Sequence, residues 1–117
     1  MLTLSDEYVD FFPEDPRAKK IATKAMLIEE FLAGAAERGE LNIKWKEEKR
    51  KVLLHGHCYQ KASTGTAALQ KMLRLPGWDV SEINSGCCGM AGSFGYEAEH
   101  FDLSMKIGGE RLFPAVK

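Results

Sequence analysis

Three cysteines carry the strongest chemical signal in this chain. Cys87 and Cys88 stand side by side in Ser85-Gly86-Cys87-Cys88-Gly89-Met90-Ala91-Gly92, and Cys58 lies upstream in His55-Gly56-His57-Cys58-Tyr59-Gln60-Lys61. Thiolate sulfur donates strongly to iron or zinc, whereas carboxylates and amides suit harder ions. Glycines beside such thiols let the backbone come close and turn its amides toward sulfur, and Gly86, Gly89, Gly92 and Gly95 have that placement. A buried pair acting as small apolar residues is the plainer alternative, and the upstream His57-Cys58 pair favours ligation over it. His57 could serve as a zinc ligand, a donor to a thiolate or a general base. It is preferred to His55, which at a strand end also reads as a core histidine, while His100, between Glu99 and Phe101, is expected on an exposed helix face. A thiol enzyme using Cys58 or Cys87 with a histidine base is a further reading, but it leaves the adjacent cysteines without a purpose. A Cys87–Cys88 disulfide would be a strained, labile redox state.

For such distant segments to share a site, the fold must bring them to one edge. Val52-Leu53-Leu54-His55 fits a short buried parallel strand, and Trp78 to Ile83 fits a second. Between them a helix is expected from about Thr64 to Arg74, with Ala67, Leu69, Met72 and Leu73 inward and Pro76-Gly77 ending it. This order calls for a right-handed crossover and an α/β fold, a small layered structure with a short parallel sheet flanked by helices. Sites on such sheets gather beyond the carboxyl ends of the strands, and Cys58 follows the first strand while Cys87 and Cys88 follow the second. Upstream, Asp15-Pro16 reads as an N-cap and first helical position. Ile21, Ala25, Ile28, Phe31, Leu32 and Ala35 then form one apolar stripe on a helix running to about Arg38, with Gly39 as its stop. Phe11-Phe12-Pro13 is expected to dock as a hydrophobic plug, and Asn42 to Lys51, Glu47 included, to be a solvated, charged connector. The last element, about Tyr96 to Val116, reads as a helix interrupted at Gly108-Gly109 and near Pro114. Gly89 to Tyr96 has no lysine and no phosphate-loop spacing, so it reads as a flexible cover over the thiols.

Composition bounds the function. A chain of 117 residues that is 44% hydrophobic suits one domain with a single core. A formal net charge of -1 and a pI near 6.3 argue against nucleic-acid or anionic-membrane binding. No apolar run reaches the roughly 18 residues that a membrane span needs. The N-terminus lacks the basic start and apolar stretch of a secretory signal, so a cytoplasmic, reducing location is the expectation.

The segments His55-Gly56-His57-Cys58-Tyr59-Gln60-Lys61-Ala62, Gly86 to Glu97, and Ser104-Met105-Lys106-Ile107-Gly108 together resemble the cysteine-rich CCG domain. That domain occurs in glycolate oxidase iron–sulfur subunits, in heterodisulfide reductase subunits, and in FAD-linked oxidases of 2-hydroxy acids. The resemblance implies that residues 1–117 are a single such domain of a longer oxidoreductase. It implies that Cys58, Cys87 and Cys88 bind an iron–sulfur cluster of the 4Fe-4S type, passing electrons between a flavin domain or subunit and an acceptor. FAD and the site for an acid such as glycolate or D-lactate would lie elsewhere in the parent protein, and this chain alone would not be catalytic. The family pattern continues to a further cysteine segment, so the chain reads as a fragment whose remaining ligands lie outside it. An ordinary cluster takes about four thiolates. Three would hold it poorly, and the fragment is expected to fold without metal. Zinc held by Cys58, Cys87, Cys88 and His57 would complete a tetrahedron; with no redox role, such a module would dock on partners through residues 89–97.

Overall fold

The two short apolar runs that flank the crossover pair as strands. The computed structural model describes residues 2–46 and 48–117; Met1, and Glu47 of the charged connector, lie outside the described residues. Strands β1 (Lys51–Leu54) and β2 (Asp79–Glu82) form a two-stranded parallel sheet in which Val52 lies opposite Val80 and Leu54 opposite Glu82. Beyond the ladder, the Ile83 amide donates to the Leu54 carbonyl at 2.8 Å, which holds the two strand exits together. The chain divides into two compact units, Met1–Ile43 and Lys44–Lys117, and the sheet and every cysteine belong to the second.

In the second unit the crossover holds two helices where one was expected. Helix α5 (Cys58–Ser63) begins at Cys58 itself, and α6 (Ala67–Arg74) follows a turn at Gly65, whose φ is +73°. Polar contacts fasten α6 to β2: the buried Thr66 hydroxyl donates to Glu82 at 2.6 Å, Gln70 Nε2 donates to the same carboxylate at 2.8 Å, and Arg74 donates to the Val80 carbonyl at 3.0 Å. Leu69, Met72 and Leu73 are half-buried as their spacing predicts, whereas Ala67, at the first turn, is exposed. Val80 and Ile83 are buried. β1 departs from the expected buried strand, since a sheet of only two strands leaves alternate residues such as Leu53 exposed.

Helix α7 (Phe101–Val116) runs through Gly108-Gly109 without a break and carries Pro114 in its last turns. The expected interruption is overridden by packing. A Cβ on Gly108 would lie 2.5 Å from the Phe113 ring and 2.9 Å from the Cys88 carbonyl oxygen. Glycine here permits close approach of the helix to the cysteine loop. Proline so near a helix end removes only one of the final hydrogen bonds.

The first unit holds α1 (Leu2–Ser5), α2 (Glu7–Phe11), α3 (Pro16–Ala22) and α4 (Ile28–Glu37). Asp15 caps α3 by accepting the Arg17 amide at 2.8 Å, with Pro16 in the first turn. The helix expected to run from Pro16 to Arg38 is broken at 23–27. Thr23 turns its hydroxyl back to the Lys20 carbonyl, Leu27 is extended, and the Leu27 amide donates to Glu30 at 2.6 Å to start α4 anew. The break disperses the predicted stripe: Ile21, Ile28 and Phe31 are exposed and Ala25 and Leu32 half-buried, while Ala35 is buried as expected, together with Ala18 and Ala33. Gly39, at φ +70°, ends α4 as expected, with the Gly39 amide donating to Ala36 and the Glu40 amide to Ala35 in a Schellman turn. Phe11 and Phe12 are exposed rather than docked as a plug, with Phe12 in edge contact with Tyr8. Among the described residues, no helix is long and apolar enough to cross a membrane.

Candidate metal centre

The parallel pairing of β1 and β2 sends both strand exits to the same edge. From β1 the chain passes through His55, Gly56 and His57 into α5; from β2 it passes through Ile83, Asn84, Ser85 and Gly86 to Cys87 and Cys88. A cavity of about 430 Å³ opens between these exits, and His55, His57, Cys58, Cys87 and Cys88 all line it. Met90, Ala91, Gly92 and Tyr96 form the rest of its wall, so the glycine-rich loop lies beside the thiols without burying them. All three cysteines are free; Cys58 and Cys87 are exposed and Cys88 is half-buried.

Close packing fixes the segments. Gly56 is buried where a Cβ would lie 2.5 Å from the Thr66 methyl group, so only glycine lets the chain bend past α6 toward Cys58. Lys61 of α5 donates its ammonium to the Ser85 carbonyl, tying the helix that starts at Cys58 to the segment that leads to Cys87. On the other side, Gly89 and Gly95 both abut Ser104 of α7. A Cβ on Gly89 would lie 2.3 Å from the Ser104 carbonyl oxygen, and one on Gly95 would lie 2.6 Å from the Ser104 hydroxyl. The Gly89 amide also reaches Cys87 Sγ at 3.3 Å, which is the amide-to-sulfur contact the glycines suggested. Gly86 and Gly92 meet open space.

The three histidines have different roles. His57 caps α5, its Nδ1 accepting the Tyr59 amide at 3.3 Å. His55 is half-buried, with Nδ1 2.7 Å from the hydroxyl of Ser85, a residue only 5% exposed. The sequence ranks His57 first, and nothing in it reveals that Ser85, thirty positions away, supports the other ring. His100 is not on an exposed helix face: it is half-buried at the N-cap of α7, stacked on Phe94 at 4.0 Å and 2.6 Å from a Glu97 carboxylate oxygen.

Among the described residues, the potential ligand atoms gathered within 4.8 Å of one another are those of Glu97, Glu99 and His100. That group is explained by the His100–Glu97 pairing beside exposed acids. No three of the cavity-lining sulfurs and imidazole nitrogens meet the same distance. Four ligands around one zinc ion at roughly 2.3 Å would lie about 3.8 Å apart. As these side chains stand, they do not form a closed single-ion site.

Comparison with known proteins gives a partial likeness. Over 59 residues, half of this chain, it is 34% identical to the C subunit of the anaerobic glycerol-3-phosphate dehydrogenase of Escherichia coli strain K12 and to that of Escherichia coli O157:H7. The match spans 15% of each relative's length. No protein-family model matches the chain, and no solved structure matches it. Half of the chain is thus similar to part of a dehydrogenase subunit.

Proposed function

We propose that the chain is an iron–sulfur-binding, electron-transfer domain of a larger FAD-linked oxidoreductase acting on 2-hydroxy acids such as glycolate or D-lactate. The observation that carries this reading is the convergence of three free thiols, from two segments far apart in sequence, on one cavity at the carboxyl edge of a parallel sheet. The partial likeness to a dehydrogenase subunit supports a redox setting. Within it Cys58, Cys87 and Cys88 would hold the cluster, and the Gly89 amide would stabilise charge on Cys87. The half-buried Met90 would shield one side of the cluster. When bound, such a cluster relays single electrons between a flavin and an acceptor. The likeness to a dehydrogenase subunit supports this reading over a zinc-held docking module.

Anaerobic reconstitution of the intact chain with iron and sulfide tests it. The expected result is broad visible absorption that bleaches on reduction. Uptake of one zinc ion in preference, with no chromophore from iron and sulfide, would favour the docking module.

A further inference from the structure

The two histidines of the His55-Gly56-His57 segment line the same cavity as the thiols, but their hydrogen bonds give them unequal capacity to bind metal. A ring nitrogen can ligate only through a lone pair. His57 Nδ1 accepts from the Tyr59 backbone amide, and an amide N–H cannot reverse its role. A neutral His57 therefore carries its proton on Nε2, and ligation through that nitrogen would break the cap of α5. His55 faces no such conflict. Its Nδ1 partner is the Ser85 hydroxyl, which can donate or accept. With Nδ1–H donating to Ser85, Nε2 is left with a free lone pair. This is the arrangement by which a neighbouring acceptor fixes the tautomer of a metal-binding histidine. Burial adds to the contrast: His55 is half-buried against a buried serine, and His57 is exposed.

We infer that His55, through Nε2, is a fourth protein donor beside Cys58, Cys87 and Cys88, and that Ser85 is the residue positioning it. His57 is the helix cap. This rests on the iron–sulfur reading, and it supplies from within the chain a donor that three cysteines lack. It also explains why Ser85 lies buried at the exit of β2, with its carbonyl held by Lys61.

The test uses the untagged, intact chain reconstituted anaerobically with iron and sulfide. Metal and sulfide content are measured together with pulsed electron paramagnetic resonance of the reduced sample, which detects a directly bound histidine nitrogen. The wild type is expected to give a strong nitrogen coupling that persists in His57→Gln and disappears in His55→Gln. Ser85→Ala is expected to weaken metal retention about tenfold, as loss of a positioning partner does, and to alter the coupling. If His55→Gln fails to fold, the double variant His57→Gln/His100→Gln leaves His55 as the remaining histidine of three, and the coupling must survive there. A loaded wild type without histidine coupling, or a coupling lost in His57→Gln and retained in His55→Gln, would overturn the assignment while leaving the cluster reading intact. A wild type that takes up no iron or sulfide would overturn both.

Discussion

Gly89 has φ +91° and the Ser104 carbonyl where a side chain would begin. Gly89→Ala should therefore destabilise the fold by about 1–2 kcal/mol for the left-handed backbone, with a further roughly 1–3 kcal/mol for overpacking, measured by urea unfolding. Gly92→Ala, with open space around it and φ +70°, should show the first cost alone. Lys61→Met removes the contact between α5 and the Ser85 carbonyl while keeping the length of the side chain. It should leave the circular dichroism unchanged and weaken metal retention, measured by iron content after gel filtration; equal retention would mean that the two thiol segments are aligned by other contacts. At this scale the sequence was informative about chemical type and silent about neighbours. The meeting of Cys58, Cys87 and Cys88 at one cavity is legible because each follows a parallel strand. The pairing of His55 with Ser85 is not, because it depends on a register set by strand pairing.

Among the elements, the parallel β1 and β2 were legible, because apolar runs with a helical crossover between them leave little choice of topology. Helix continuity was not. The apolar period continues through residues 21–35, yet Thr23, Leu27 and Glu30 each spend a polar group on local bonds that stop one helix and start another. Gly108-Gly109 reads as a breaker in isolation, but the close packing of Gly108 against Cys88 keeps α7 intact. Gly108→Ala should force that contact open at a cost of roughly 1–3 kcal/mol, seen as a lower urea midpoint, and a neutral result would show that Phe113 can move aside. At α3, the Arg17 guanidinium and amide hold the Asp15 carboxyl below its ordinary value, and the Arg17 value is raised in turn. A depressed carboxylate adds stability above its unfolded value and loses it as pH falls through the folded one, so this support should fade below about pH 4. Arg17 is exposed and Asp15 half-buried, so solvent screens the pair and its contribution is small. Comparing the acid unfolding of wild type and Asp15→Asn by circular dichroism should show a slightly steeper acid loss for the wild type.

For the whole molecule, few large side chains reach full burial. Among the described residues the buried apolar set is Ala18, Ala33, Ala35, Val80 and Ile83, while Phe11, Ile28 and Phe31 remain exposed. Such small cores are marginal, so binding at the cysteine cavity should register strongly in stability. At a hundredfold excess over its dissociation constant a ligand adds about 2.7 kcal/mol. For a unit of this size that corresponds to a rise of roughly 10–20 °C in melting temperature, read by thermal unfolding of the apo and reconstituted chain. The most direct test of the central claim, that Cys58 and the Cys87-Cys88 pair serve one centre, is the iron and acid-labile sulfide content of the anaerobically prepared wild type beside Cys58→Ser and Cys87→Ser. Iron with sulfide is expected in the wild type, with loss of both in each single variant. Zinc without sulfide in the wild type, or full iron and sulfide retained when either segment loses its thiol, would contradict it.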